Sequence, residues 1–162
     1  MIAKPGDIQV GREIWRPVTQ FNELGLQKKY MVSHLGRVRS YDDDPRNMRI
    51  LRGSMVEGYR ILRILSKYPK PKSLGFLFHR LIADAFCERP DDTYEFVIHL
   101  DFDKLNNRVS NLRWATKEQV EAHGNLNPAV LAERGKVRFG KSHQGHKLSS
   151  TDVLRIKKML QN

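Results

Sequence analysis

A single cysteine, Cys87, stands among 162 residues, which excludes an intrachain disulfide and any zinc site built on several thiolates. No stretch approaches the roughly 18 consecutive apolar residues of a membrane span. The opening MIAKPGDIQV lacks the apolar core of a secretory signal, so the expected setting is cytoplasmic, with no membrane partner. Acidic side chains are also scarce: 18 Asp or Glu face 29 Lys or Arg, a net charge of +11. That excess favours a polyanionic partner, and with no basic amphipathic anchor in view nucleic acid fits it better than a membrane. What is present suits one globular domain or two small ones, with 40% hydrophobic residues for a modest core.

The charge is unevenly spread. From Asn125 onward eight Lys or Arg meet two acids, so more than half of the net charge lies in the last quarter of the chain. Within it GKVRFGKSHQG (135–145) is basic, glycine-rich and without hydrophobic periodicity, and reads as an extended arm suited to a phosphate backbone. A final helix is expected beyond it, started by Ser149 and Asp152 and carrying an apolar stripe of Val153, Ile156, Met159 and Leu160. An uncovered stripe of that kind suggests a homodimer through this helix. Upstream, residues 12–90 read as a small α+β module. Strand-forming segments flank Gly36, a hairpin runs over about 58–65 and 74–78, and a helix over HRLIADAFCE is stopped by Pro90. Residues 91–124 follow as strand (YEFVIH), polar loop (LDFDKLNNRVS), strand (NLRWAT) and helix (KEQVEAH). Cys87 reads as a small buried hydrophobe on the earlier helix.

The last of these segments carries the chemistry. A histidine at a strand end, an asparagine-rich loop, a second strand and a helix follow the order of a ββα-metal nuclease site. Phosphodiester hydrolysis needs a base for water and a divalent cation for the charge on the phosphate, held in a rigid frame. His99, Asp101, Asn106, Asn107, Asn111, Leu112, Trp114, Thr116 and His123 all stand in that pattern. Upstream, IW (14–15), YMVSHLGRVRS (30–40), GY (58–59) and HRLIADAF (79–86) complete it. Over roughly residues 13–123 the chain resembles the H-N-H homing endonucleases of phages and bacteria that carry an N-terminal nuclease-associated modular domain. The resemblance implies an α+β fold: a module at 12–90, a ββα (His-Me finger) H-N-H motif at 91–124, and a basic arm with a terminal, partly helix-turn-helix-like element at 125–162. It also implies His99 as general base, Asn107 as the residue that orients the loop, and double-stranded DNA as partner in a bacterial nucleoid or phage-infected cell.

Two positions depart from the family. Its metal ligands are an Asp or Asn just before the base histidine and an Asn or His on the helix; here these are Ile98 and Val120. Magnesium requires hard oxygen ligands, which neither supplies, so no metal and no cofactor is expected. The expected function is therefore DNA binding on a nuclease scaffold that has lost metal-dependent cleavage, as in a transcription regulator, with His99 vestigial. The alternative is an active nicking or homing endonuclease using Mg²⁺ or Mn²⁺, with an unconventional site of His99, Asp101 and His123 as one way to hold the metal. The candidate DNA contacts are Arg37, Arg39, Lys104, Arg108, Arg113, Arg134, Lys136, Arg138 and Lys141.

Overall fold

The computed structural model describes residues 6–26, 28–42, 44, 47–66 and 72–140, the side chains of 135–140 excepted. Short β-forming stretches broken at glycines give a strand-rich start: β1 (Ile8–Val10), β2 (Glu13–Pro17), β3 (Lys29–Ser33), β4 (Val38–Tyr41) and β5 (Arg49–Leu51) form one antiparallel sheet in sequence order. A second antiparallel sheet follows from β6 (Ser54–Val56), β7 (Tyr59–Ser66) and β8 (Lys72–Leu77). The β6–β7 turn is the pair Glu57–Gly58, both with positive φ (50° and 83°), the backbone that a two-residue hairpin turn twisted with its strands demands. Expectation and structure agree on the β7–β8 hairpin. The short strand β6 has too few residues to show a period of its own.

The helix α1 (Phe78–Phe86) starts directly from β8. Its apolar residues recur at helical spacing, and Phe78, Leu81, Ile82 and Ala83 are buried. Burial of a side chain such as Leu81 or Ile82 is worth about 1.5–3 kcal/mol. It packs against β2, β3, β7, β8, β9 and β10, where β9 is Phe96–His99 and β10 is Leu112–Ala115, an antiparallel pair. One core results, joining Val32 and Val38 of the first sheet, Leu62 and Ile64 of the second, Leu81 and Ile82 of α1 and Leu112 of β10. Arg16 adds a polar tie from β2 to the helix, paired with Asp7 at 3.1 Å and donating to the Ala85 carbonyl at 2.9 Å. Cys87, just past α1, is half-buried, and burial raises its thiol pKa.

Residues 1–122 accordingly form a single compact unit, and 123–162 a second. The boundary expected at 90 is not a structural division, because α1 is the shared core of both flanking segments. After β10 comes α2 (Lys117–Asn125) and then α3 (Pro128–Gly140). The extended arm expected from residue 135 is thus a correction: its first six residues are helical. Asn127 explains the start of α3, since its side-chain oxygen accepts the Ala129 N–H at 2.9 Å, and Pro128 suits a first helical position. Lys141, the expected terminal helix and the homodimer it suggested lie outside the described residues. Among the described residues no helix is long and apolar enough to cross a membrane.

Candidate functional site

The β9–β10 pairing sets the site. His99 stands opposite Leu112, Ile98 opposite Arg113 and Val97 opposite Trp114. Paired residues share a face and neighbours alternate, so His99 lies with Leu112 and Val97, which pack on the core, while Ile98 shares the other face with exposed Arg113. Both strand faces are covered at this point: His99 and Ile98 are each 6% exposed.

The loop between the strands is organised by its own side chains. The Asn111 amide donates to Asp101 Oδ1 and to the Asn106 carbonyl, both at 2.8 Å, and its oxygen accepts the Asp101 N–H at 3.0 Å. Asn106 donates to Asp101 Oδ2 at 2.6 Å, and the Asp103 N–H to Asp101 Oδ1 at 2.9 Å. The Asn106 bond foremost, then those from Asn111 and Asp103, hold the Asp101 carboxyl below its ordinary pKa. Both oxygens of Asp101 are therefore engaged in shaping the loop. Asn107, expected to orient the loop, places its side-chain oxygen 3.0 Å from His99 Nε2. An amide oxygen only accepts, so this contact puts a proton on Nε2. The loop itself is clamped by Asn111, which the sequence pattern included without a role.

Two further rings reach His99. His79, at the start of α1, lies 5.0 Å from it between ring centroids, edge to face, and Tyr59 lies 5.0 Å from His79 and 5.9 Å from His99. Burial, with help from neighbouring His99 and Arg80, lowers the His79 pKa to about 4, so this imidazole is neutral at physiological pH. Sequence reasoning gave neither residue a role at the site. HR (79–80) and GY (58–59) stood inside the resemblance, but nothing local marks them as neighbours of residue 99.

The candidate cations fall into distinct places. Arg108 and Arg113 are exposed. Arg37 is half exposed and paired with Glu13 through its Nε at 2.9 Å. Lys104 donates from Nζ to the Glu57 carbonyl at 3.0 Å and lies 4.4 Å over the Tyr59 ring. Arg39 is a correction: it is 5% exposed, its guanidinium lies 3.8 Å over the Trp15 ring, and burial brings its pKa down to about 10. A cation so stacked belongs to the packing of the first sheet rather than to a DNA-facing surface. In the second unit Arg134 donates to Asn125 at 3.0 Å. Lys136 and Arg138 lie on α3, their side chains outside the described residues.

As for a metal, α2 is started by a reciprocal cap. The Thr116 N–H donates to Gln119 Oε1 at 3.1 Å, and Thr116 Oγ1 accepts the Gln119 N–H at 3.4 Å. This fixes Val120 one turn along, half-buried, with no donor atom in its side chain. Among the described residues no three of His, Cys, Asp and Glu come together as a metal cluster. With Ile98 and Val120 at the family's ligand positions and Asp101 committed to its loop, the residues present do not fit a hard divalent cation.

Comparison with known proteins identifies the scaffold on which these residues stand. A family model described as HNH endonuclease matches residues 76–122, and one described as the NUMOD4 motif matches residues 13–81. Two uncharacterized HNH endonucleases of Acanthamoeba polyphaga mimivirus are similar. L247 is 35% identical over 117 residues, covering 68% of this chain and 26% of that protein. L245 is 32% identical over 127 residues, covering 78% and 34%. The DNA endonuclease I-HmuI of Bacillus phage SP01 is 29% identical over 119 residues, 70% of this chain and 64% of that one. A solved structure of the HNH homing endonuclease I-HmuI, titled for its DNA binding and cleavage, matches with a TM-score of 0.51 at 28% identity, covering 76% of this chain and 67% of the other. This chain spans only about a quarter to a third of the length of the two viral proteins. From the NUMOD4 motif through the ββα element, in sequence and in fold, the chain belongs to the HNH homing endonuclease family.

Proposed function

We propose that this chain binds duplex DNA on the HNH scaffold without metal-dependent hydrolysis. HNH endonucleases generally use a divalent metal, and the observation that carries the proposal is the pair Ile98 and Val120 at the two ligand positions. Ile98 is buried beside the very histidine that would serve as base, so an ion there would lose its water and gain no oxygen ligand in exchange. The net charge of +11 and the exposed Arg108 and Arg113 on and beside the loop support affinity for the phosphate backbone. His99, with a proton on Nε2, is retained as a donor and a support for the loop. A chain that holds DNA without cutting it acts by occupying its site, as a transcription regulator does.

The test combines a mobility shift with a plasmid assay. The native chain is expected to retard duplex DNA and to leave supercoiled plasmid intact in Mg²⁺ or Mn²⁺, while the double variant Ile98→Asp, Val120→Asn gains nicking. Cleavage by the native chain that vanishes in His99→Ala would establish the active endonuclease instead.

A further inference from the structure

Two turns of the N-terminal motif grip the loop that follows β9, and both grips end on His99. The first is the β3–β4 turn. Gly36 has a φ of +87°, and a Cβ added there would stand 2.7 Å from the Asn107 carbonyl carbon, 2.9 Å from its oxygen and 3.0 Å from the Arg108 nitrogen. The same turn accepts the Val109 N–H on the His34 carbonyl at 3.0 Å. Backbone thus lies on backbone with no room for a side chain, and Asn107, so placed, meets His99 Nε2 at 3.0 Å.

The second grip is the β6–β7 turn. Lys104 reaches from the loop to the Glu57 carbonyl at 3.0 Å and lies over Tyr59 at 4.4 Å. Its Cδ fills the space 3.2 Å from where a Cβ of Gly58 would be. Tyr59 in turn lies against His79 and His99.

We infer that Gly36 and Lys104 are positioning residues for His99, so that the NUMOD4 part of this chain aims the imidazole of the HNH element. One turn acts on a ring nitrogen through Asn107, and the other on the ring face through Tyr59. Lys104 serves this purpose rather than a phosphate contact. Only the consequence for DNA rests on the binding function proposed above.

The experiment uses the full chain labelled with ¹⁵N and reads the imidazole nitrogens by long-range ¹H–¹⁵N correlation, with the His99 signals assigned by their loss in His99→Gln. Gly36→Ala is expected to shift them in the same direction as Asn107→Ala. Gly11→Ala supplies the control, because Gly11 also has positive φ (+61°) but nothing within 4 Å of an added Cβ, and it is expected to leave them in place. Lys104→Met is expected to move the His99 signals and Lys104→Arg, which keeps both donor and cation, to restore them. Duplex affinity is expected to fall at least threefold in Gly36→Ala and Lys104→Met and to hold in Gly11→Ala and Lys104→Arg. Native His99 signals in folded Gly36→Ala and Lys104→Met overturn the assignment; if Gly36→Ala does not fold, the Lys104 pair decides alone. Should the native chain not bind duplex DNA, the DNA-binding function falls while the imidazole result stands.

Discussion

His79 and Arg39 show how far burial governs single residues here. In the folded chain burial, then the neighbouring His99 and Arg80, hold the His79 pKa at about 4, against an ordinary value of about 6.5. The unfolded chain therefore takes up the proton first as pH falls. Stability from the neutral imidazole is complete above about pH 6.5 and drains away as pH drops toward 4, by about 2–3 kcal/mol at pH 4.5. Denaturant titrations at pH 7 and pH 4.5 should show the native chain losing that much more than His79→Gln. Arg39 and Arg108 part in the opposite way. Arg39→Ala removes a guanidinium stacked 3.8 Å over Trp15 and should cost about 1–2 kcal/mol of stability with duplex affinity unchanged. Exposed Arg108→Ala should leave the melting transition in place and weaken DNA binding, which thermal melts and mobility shifts separate.

At the scale of elements the same division holds for α2, whose start is fixed by the exchange between Thr116 and Gln119. Thr116→Ala should cost about 1 kcal/mol, measured as a shift in denaturation midpoint at unchanged slope. The elements legible in the sequence were those with a local signature. The β7–β8 hairpin, the apolar spacing of α1 and the strand–loop–strand–helix order around His99 could each be read within a window of about thirty residues or fewer. The helical start of α3 was also written locally, in Asn127 and Pro128, but the glycines at 135 and 140 read more strongly as a break. Two things had no local signature. Arg39 is buried because Trp15, on β2, lies across β3 from it, through the pairing of Met31 with both Pro17 and Arg39. The ring cluster at His99 needs β7, α1 and β9 together, three elements that no spacing rule connects. Chemistry at the strand end was legible, whereas the residues that surround it were not.

For the molecule as a whole the largest number is its charge. More than half of the +11 resides beyond Asn125, in a segment separate from the compact unit that carries His99. If that segment follows the DNA backbone, its cations displace condensed counterions, and each phosphate neutralised adds about 0.9 to the slope of log affinity against log salt. Reversing Lys136, Arg138 and Lys141 together should flatten that slope by about 3, lowering affinity on every duplex alike because phosphate contacts carry no sequence information. Arg113→Ala, by contrast, removes one cation beside the ββα element and should alter the slope by about 1 at most. Titrations between 50 and 200 mM salt on two unrelated duplexes distinguish these outcomes. An unchanged slope after the triple reversal would leave Lys136, Arg138 and Lys141 without a part in binding and exclude the arm that carries them.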